Sequence, residues 1–592
     1  MPDSPELIAA DLLDRFPPPT SAAFPARSGN LIESLVDGAV AFDQIAGAIE
    51  AATTSVWVCV AFLELDARFP GGRGTFLELL DTAADREVDV RVLFWHPEGD
   101  WVGNDRRGRT GTDDTFPGDE ASARVLATRS TRWQARWDAA GRQCQHQKAW
   151  LVDAGTPDEV AFVGGINITK GSMADRRHNE ADPSLGYRRG DRYAGVHDVY
   201  SRLRGPCVAD VHDNFTMRWN GASECQRPYG SWPDGRTGDI TERDPDTVPA
   251  VAGPNTAQIQ RSVLPGLYDD LPDGENSVRE QYLSAVAGAR DYVYIENQIF
   301  LSRVVLQELR VALERGVLVV ASVPGNPMSE LAAARSHPGI NAGYEVLATL
   351  GGYEGFCLSA PCVRRDWGYE EIYVHAKTAV VDDVWGTIGS TNLIFSSFQG
   401  DTEMNVSFWD PGVARTFRVR QIDEQAGFDS SNLGGGEAVG RLIEVARANA
   451  ARRRAGGSLE GCACAVDPAH WATCAKPVPD RETGGSQDPD RVVATSAKAS
   501  NMATSRARSG STTPVIPNVR MASEQTGPTD TGTTRVPSRA STRSWRRPWA
   551  SATSTRCTAA CRVVNVTAST SPSQTRPTNA SAGLVSWGRA QR

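Results

Sequence analysis

Two stretches of the chain decide its fold: residues 144–153, CQHQKAWLVD, and residues 373–382, YVHAKTAVVD. Each places a histidine, a lysine and an aspartate at the spacing His-x-Lys-x4-Asp. Side chains two apart on a strand simply point to the same face, so one such motif would carry little information. Its recurrence predicts two similar halves that build one active site, with six catalytic candidates: His146, Lys148, Asp153, His375, Lys377 and Asp382.

The segments after the motifs predict a β-hairpin in each half. Residues 160–167 read VAFVGGIN and residues 385–392 read WGTIGSTN, so each is an apolar return strand with glycine near its end. The first hairpin contains the additional residues GTPDE, which are turn-forming. An enlarged loop therefore absorbs the difference in length between the two hairpins.

The segments before the motifs repeat as well. Residues 42–55 and 281–291 are amphipathic, and each leads into an apolar run, VWVCVAFLEL or YVYIENQIFL. Helices that alternate with continuous apolar strands predict an α/β fold with two tandem sandwich lobes. We predict an N-terminal extension over 1–27, lobes over 28–254 and 255–428, a linker helix over 429–456 and a tail over 457–592.

Composition narrows the classes of function. No apolar run reaches the length of a membrane-spanning helix, and the N-terminus carries acids where a secretory signal would carry bases. We therefore expect a cytoplasmic protein, or one peripheral at a membrane. From Arg491 onward 15 bases face 2 acids, which leaves the preceding residues with a net charge of −23. Such acidity weighs against long DNA as the main substrate.

The last part of the chain loses all periodicity. Beyond Gly456 serine, threonine, alanine, arginine and proline dominate, which predicts a disordered basic tail. The tail is either an electrostatic contact for anionic membranes or nucleic acid, or an extension without function. Its cysteine patch lacks paired C-x2-C spacing, so we expect no metal there. The residues of that patch are Cys462, Cys464, His470 and Cys474.

The residue types in the motifs suit phosphodiester chemistry. Displacement at phosphorus needs a nucleophile, an acid for the leaving alkoxide and positive donors around the remaining oxygens. Two histidines supply the first two roles because the imidazole pKa lies near neutrality. Lys148 and Lys377 add compact cations, and Asn167 and Asn392 add amide donors.

The paired motifs resemble those of the phospholipase D superfamily. Residues 294–300, YIENQIF, and 400–408, GDTEMNVSF, resemble the strands that flank the second motif of that family, and residues 197–220 resemble its segment closing the first lobe. The resemblance covers about 28–428. It implies mixed sheets and a pseudo-twofold active site at the lobe interface.

The resemblance also implies a mechanism that needs neither metal nor cofactor. One histidine forms a covalent phosphohistidine while the other is the general acid, so one is neutral and the other charged when turnover begins. By analogy with the family, His146 is the nucleophile and His375 the acid. One departure is Gly165, where the family commonly has serine, as at Ser390.

Other residues are weaker candidates for the site. Glu403 would orient a histidine, or is an ordinary solvated strand residue. Glu296 and Gln298 would line the site, or only satisfy buried backbone groups. An arginine and tryptophan series forms either a rim that attracts anionic substrate or a solvated helix face. That series is Arg124, Arg129, Trp133, Arg132, Arg136, Trp137 and Arg142.

We favour a lipid phosphodiesterase that hydrolyses or transphosphatidylates glycerophospholipids. A phosphatidyltransferase such as cardiolipin synthase is the closest alternative, and a nuclease is a third. A binding protein that has lost catalysis is disfavoured because all six motif positions are filled. The expected partners are a phospholipid at a membrane surface and a water or alcohol acceptor. Nucleic acid is not expected, and the protein is predicted to be a monomer.

Overall fold

The fold is described from a computed structural model. It describes residues 11–96, 115–130, 132–139, 144–178, 195–223, 231–233, 237–325, 331, 335 and 338–472. The chain divides into the units 1–510 and 511–592, and every described residue belongs to the first. Of the residues and segments predicted from sequence, Arg142, Cys474, residues 1–10 of the N-terminal extension and the tail from 473 lie outside the described residues.

The first half of the fold, up to Trp232, contains nine strands within the described residues. They are β1 (Arg27–Val36), β2 (Ser55–Val60), β3 (Asp89–Trp95), β4 (Gln134–Asp138), β5 (Lys148–Val152), β6 (Val160–Gly164), β7 (Val196–His197), β8 (Val199–Arg204) and β9 (Ser231–Trp232).

The second half contains a corresponding set. Its strands are β10 (Asn255–Val263), β11 (Glu275–Asn276), β12 (Tyr292–Asn297), β13 (Leu318–Ser322), β14 (Phe356–Ser359), β15 (Cys362–Arg365), β16 (Gly368–Glu371), β17 (Tyr373–Val374), β18 (Lys377–Val381), β19 (Trp385–Gly389) and β20 (Glu403–Trp409).

Helices cover both faces of this framework. They are α1 (Gly38–Ala51), α2 (Phe76–Asp85), α3 (Glu120–Leu126), α4 (Val208–Ser223), α5 (Ser277–Gly288), α6 (Arg303–Glu314), α7 (Pro338–Leu350), α8 (Phe395–Gln399), α9 (Pro411–Ala426) and α10 (Gly435–Arg454). Among the described residues no helix is both long and apolar enough to span a membrane.

Most strands join one continuous mixed sheet. Its order is β14-β13-β12-β18-β19-β20-β10-β1-β8-β6-β5-β2-β3-β4-β9. β2, β3 and β4 pair in parallel, as do β12, β13 and β14, and the hairpin and central strands are antiparallel. The predicted α/β fold with mixed sheets is confirmed. The two halves differ from separate sandwiches because β1 pairs with β10, so their sheets are joined edge to edge.

The packing layers explain the repeated sequence pattern. One buried cluster lies between the first-half strands and α1 and α2, and a second lies between the second-half strands and α5, α6 and α7. A third cluster runs along the opposite face of the sheet beneath α4, α9 and α10, and includes residues of both halves. Strands covered on both faces must be apolar throughout, which is why the runs 56–60 and 292–295 do not alternate.

Segments predicted to lie outside the lobes pack on the second half. Leu12 and Phe16, from the predicted N-terminal extension, are buried in its core. Residues 457–472, assigned from sequence to the tail, also pack there: Trp471 is buried, and Ala465 bridges to Ser359. The packed region therefore extends at least to Ala472, because this short stretch supplies apolar side chains and strand-like hydrogen bonds that its composition did not reveal.

Candidate active site

The two motifs form hairpins, and each histidine lies just before the first strand of its hairpin. β5 pairs with β6, and β18 pairs with β19, as the sequence predicts. The histidine segments then cross to the other half. The backbone N–H of His146 donates to Thr402 O at 3.0 Å, and that of His375 donates to His197 O at 2.8 Å. Each histidine is thereby placed beside the beginning of a strand in the opposite half.

In both halves an acid stands at the beginning of that strand: Glu403 is the first residue of β20, and Asp198 directly precedes β8. Nδ1 of His146 lies 2.9 Å from Oε2 of Glu403, and Nδ1 of His375 lies 2.5 Å from Oδ2 of Asp198. A carboxylate that accepts from Nδ1–H fixes the tautomer and leaves Nε2 for chemistry. The contact of Glu403 with His146 is the one that the orienting role considered from sequence requires. Asp198 was missed, although its position before β8 matches that of Glu403 at the start of β20.

The lysines lie beside the histidines, in different surroundings. Nζ of Lys148 donates to His146 O at 2.7 Å and lies 5.7 Å from the ring centre of Phe62. Nζ of Lys377 donates to Gln298 Oε1 at 3.0 Å. Gln298 thus contacts a motif lysine, and its role in binding substrate stays a prediction.

Burial changes the ionisation of these groups. Burial, together with the charges of the two lysines, lowers the pKa of His146 well below its ordinary value and that of His375 to about 3. Burial also lowers the pKa of Lys148 to about 8 and that of Lys377 to about 7. Both histidines are therefore neutral at pH 7 in this structure, whereas one charged histidine was expected. A bound phosphodiester anion is the kind of partner that would raise an imidazole pKa.

The supporting carboxylates also differ. Burial raises the pKa of Glu403 to about 7, and the Lys148 charge and the Ser390 hydroxyl offset this only in part. Burial acts on Asp198 in the same direction, but His375, Lys377 and a backbone N–H outweigh it and lower its pKa. His375 therefore faces the more firmly ionised carboxylate.

The motif aspartates lie away from the reacting groups. Asp153 accepts hydrogen bonds from the backbone N–H groups of residues 53–55, and Asp382 accepts from those of residues 290–292. His146 and Asp153 are at opposite ends of an extended segment of seven residue steps, about 23 Å apart at ~3.3 Å per residue. Asp153 and Asp382, predicted as catalytic, have a different role in the structure. They anchor the hairpin end of each motif strand to the start of the neighbouring strand.

The residues after the return strands complete the site asymmetrically. Ser390 Oγ donates to Glu403 Oε2 at 2.6 Å. A Cβ at Gly165 would lie 2.5 Å from Oδ1 of Asp198, so the glycine is required by the position of that carboxylate. Asn167 and Asn392 are buried or half-buried, and the Oδ1 atom of each has no hydrogen-bond partner among the described residues.

Glu296 does not line the reacting groups. It is fully buried and accepts from Nε2 of His197 at 2.9 Å, from the Tyr294 hydroxyl at 2.6 Å and from Gln421 at 2.7 Å. Its prediction as a substrate-binding residue is corrected because its oxygens are occupied by these donors beneath the site.

His197 belongs to a buried group that we call the inter-half cluster: Asp37, His178, His197 and Glu424. Nδ1 of His197 lies 3.0 Å from Asp37 Oδ1 and 2.9 Å from Glu424 Oε1, and Nε2 of His178 lies 3.0 Å from the same Glu424 oxygen. Oδ2 of Asp37 is buried without a hydrogen-bond partner in the described part of the chain. Two imidazoles and two carboxylates are a donor set that could hold a divalent cation.

The cysteine patch has a different arrangement. Cys462 and Cys464 are buried, whereas His470 is largely exposed and its Nδ1 lies 2.6 Å from Asp467. His470 therefore does not join the two thiols at a shared metal position.

The described members of the arginine and tryptophan series, which exclude Arg142, do not form a rim. Trp133 and Trp137 are buried in the first-half core, and Arg136 is buried and donates to Trp219 O. Arg129 pairs with Asp81 on the surface. Trp137 lies in β4 and Trp133 directly precedes that strand. Both side chains therefore point from an extended segment into the core, and not from a helix.

Sequence comparison agrees with this geometry. Residues 44–308 match the family described as "Phospholipase D", and residues 282–421 match that described as "Cardiolipin synthase, PLD-like domain". Together the two regions include both hairpins and both carboxylate partners.

Individual relatives are distant. The chain is 22% identical over 278 residues to a cardiolipin synthase of Clostridium perfringens, and 24% identical over 281 residues to cardiolipin synthase 2 of Staphylococcus epidermidis. These matches cover 46% and 47% of this chain, and the chain spans about half the length, 47%, of each relative.

A solved structure, the phosphatidylserine synthase of Haemophilus influenzae, aligns with 84% of this chain and 99% of its own, at 13% identity and a TM-score of 0.43. The two family matches, together with the paired motifs, assign the chain: it belongs to the phospholipase D superfamily.

Proposed function

We propose that this protein transfers phosphatidyl groups from a glycerophospholipid to an alcohol or to water through a phosphohistidine. The observation that carries the proposal is the crossed pairing of His146 with Glu403 and His375 with Asp198. Each half supplies a histidine and the carboxylate that orients the histidine of the other half. Such a site provides two imidazoles with their Nε2 atoms available for one phosphodiester.

The proposed reaction has two balanced steps. Nε2 of His146 attacks phosphorus while the bond to the head-group oxygen breaks, and that oxygen takes a proton from His375. Neutral His375 then accepts the proton of the incoming alcohol or water, whose oxygen attacks phosphorus as the P–N bond breaks. Lys148 and Lys377 stabilise the charge on the non-bridging oxygens.

The assignment of roles follows from the carboxylates. Asp198 is ionised and makes a single short contact with His375, which favours the imidazolium form needed for an acid. Glu403 is shared with Ser390 and has a raised pKa, which leaves His146 neutral and nucleophilic. His375 would take up its proton when the anionic substrate binds, because the phosphodiester charge raises the imidazole pKa.

Two observations support a lipid substrate. The relatives that match are named cardiolipin synthases, and the residues before Arg491 carry a net charge of −23, which disfavours binding of long nucleic acid. Catalysis on a phospholipid requires contact with a membrane surface. We favour transfer to an alcohol over hydrolysis as the main reaction, because the matched relatives are named cardiolipin synthases.

The test is product analysis with purified full-length protein and vesicles that contain phosphatidylglycerol. We expect phosphatidic acid in water alone, and a phosphatidyl-alcohol in addition when a primary alcohol is supplied. His146→Ala and His375→Ala provide matched inactive controls. Phosphatidic acid with no transfer product would restrict the activity to hydrolysis. Cleavage of DNA without any lipid product would refute the proposal.

A further inference from the structure

A buried polar relay lies behind the first motif strand, on the side away from the chemistry. Gln147 stands between His146 and Lys148, so its side chain points to the opposite face. Its Oε1 accepts from Asn214 Nδ2 at 2.8 Å and from Arg218 Nη1 at 3.1 Å. Its Nε2 donates to the backbone oxygen of Glu403 at 3.3 Å.

The orientation of each amide in this relay is set by arginine. Arginine only donates, so Oε1 of Gln147 must face Arg218, and Oδ1 of Asn214 must face Arg261, whose Nη1 lies 3.2 Å away. Nδ2 of Asn214 then faces Gln147, and the Gln147 NH2 group is left to face Glu403. The polarity of the whole chain of bonds is thus fixed.

Both arginines are themselves held by buried acids. Nε and Nη2 of Arg218 lie 3.0 Å from Oδ2 of Asp138, and Nη2 of Arg261 lies 2.8 Å from Oε2 of Glu275. All four side chains are buried. Buried charge pairs are costly to desolvate, and they keep their geometry only when their remaining donors are satisfied. The hydrogen bond from Arg218 Nη1 to Gln147 satisfies one of those remaining donors.

The second motif has no counterpart of this side chain. The position equivalent to Gln147 is Ala376, which is fully buried, and only its backbone N–H reaches across, to His197 O at 3.2 Å. The relay therefore supports the first histidine alone. It joins the strand of His146 to the strand that begins with the acid on which His146 depends.

We propose that Gln147 is a positioning residue that holds Glu403 against His146. Its amide links the two halves directly behind the histidine, and Arg218 and Asn214 prevent that amide from turning. Loss of the link lets the start of β20 move away from His146, which weakens the contact of the carboxylate with Nδ1. The kinetic part of this proposal rests on the proposed function.

Two substitutions separate positioning from simple filling of the core. Gln147→Glu keeps an acceptor for Arg218 and Asn214 but removes the donor to Glu403 O. Gln147→Met keeps the length and removes both. We expect both variants to lower kcat roughly 10- to 100-fold, with KM within about twofold, because the bond matters to the reacting geometry rather than to binding. Gln281→Met is the control: this buried glutamine accepts from Gln260 and makes no hydrogen bond to a motif residue within the described part of the chain.

The second readout does not require turnover. In protein with 15N-labelled histidine, the His146 signal, assigned through His146→Ala, should report a lower imidazole pKa in Gln147→Met, since a displaced carboxylate favours the charged ring less. Gln147→Glu is not used for this readout, because its added negative charge raises the pKa of a neighbouring imidazole. Gln281→Met should leave that signal unchanged. If Gln147→Met fails to fold, kcat of Gln147→Glu decides, because this variant retains the acceptor for Arg218.

The outcomes are distinct. An unchanged His146 signal in Gln147→Met, or kcat per active site within twofold of the parent protein in Gln147→Glu, would overturn the positioning role. If the parent protein cleaves no phosphodiester while the histidine signal still shifts in Gln147→Met, the proposed function fails and the positioning inference stands.

Discussion

Asp198→Asn is the substitution with the most clearly defined expected effect. The backbone N–H of Val199 donates to Oδ1 of Asp198 at 2.8 Å, and His375 Nδ1 contacts Oδ2 at 2.5 Å. An asparagine at this position keeps its oxygen toward Val199, so its NH2 group faces His375. Two donors then oppose each other unless His375 adopts the other tautomer, with its proton on Nε2.

The magnitude follows from the burial of the pair. Breaking a buried, hydrogen-bonded charge pair by removing one partner costs about 3–5 kcal/mol. At ~1.4 kcal/mol for each factor of ten, kcat should fall roughly 150- to 4,000-fold if His375 is charged in the transition state. Because the pKa of Asp198 is lowered, the carboxylate stays ionised as the pH rises from 5 to 9, so the loss should persist over that range.

The assay is steady-state turnover of a phosphodiester, with active sites counted from the initial burst. The matched control is Glu159→Gln, which alters another buried histidine–carboxylate pair: Glu159 lies 2.9 Å from Nδ1 of His212, in a pair that contacts no reacting group. We expect its kcat to be unchanged. Retention of more than about a third of kcat in Asp198→Asn, at equal active-site counts, would refute the reasoning.

Three further predictions concern the site as a whole. Gly165→Ser should lower kcat at least tenfold, because its Cβ would lie 2.5 Å from an Asp198 oxygen and displace that carboxylate; parental kcat would contradict this close approach. EDTA should leave turnover unchanged, because the proposed reacting groups are all side chains. An ion in the inter-half cluster would be detected by elemental analysis and by a lower Tm after chelation. Loss of turnover that a divalent ion restores would contradict the mechanism. Turnover should fall as the pH rises through about 7 to 8, since Lys377 and Lys148 lose their charges there; a rate that keeps rising to pH 9 would exclude charged lysines from the transition state.

The sequence was sufficient to predict the two hairpins and the positions of the two motif histidines beside them. The repeated spacing places His146 and His375 before strands, and continuous apolar runs require strands covered on both faces, as β5 and β18 are. These features depend on local periodicity, which a single sequence carries. The joined sheet was not predictable in this way, because the pairing of β1 with β10 depends on contacts distant in the chain.

Side-chain roles were harder to predict where they depend on the opposite half. Asp153 and Asp382 belong to the motif, yet they bind backbone amides at the far end of the strand. Asp198 and Gln147 do not belong to its pattern, yet they contact its reacting groups or their partners. Sequence spacing predicts which residues share a strand face, whereas the crossed pairing of acids and histidines appears only when the two halves are brought together.

The most direct test of the account is chemical identification of the covalent intermediate. Protein quenched during turnover of a nitrophenyl phosphodiester should contain a phosphohistidine, which mass spectrometry should place at His146. The leaving group needs no proton, so His375→Ala should still form this label and accumulate it, because the second step then lacks its base. His146→Ala should form none. A label on His375, or ordinary turnover without either histidine, would contradict the assignment of His146 as the nucleophile.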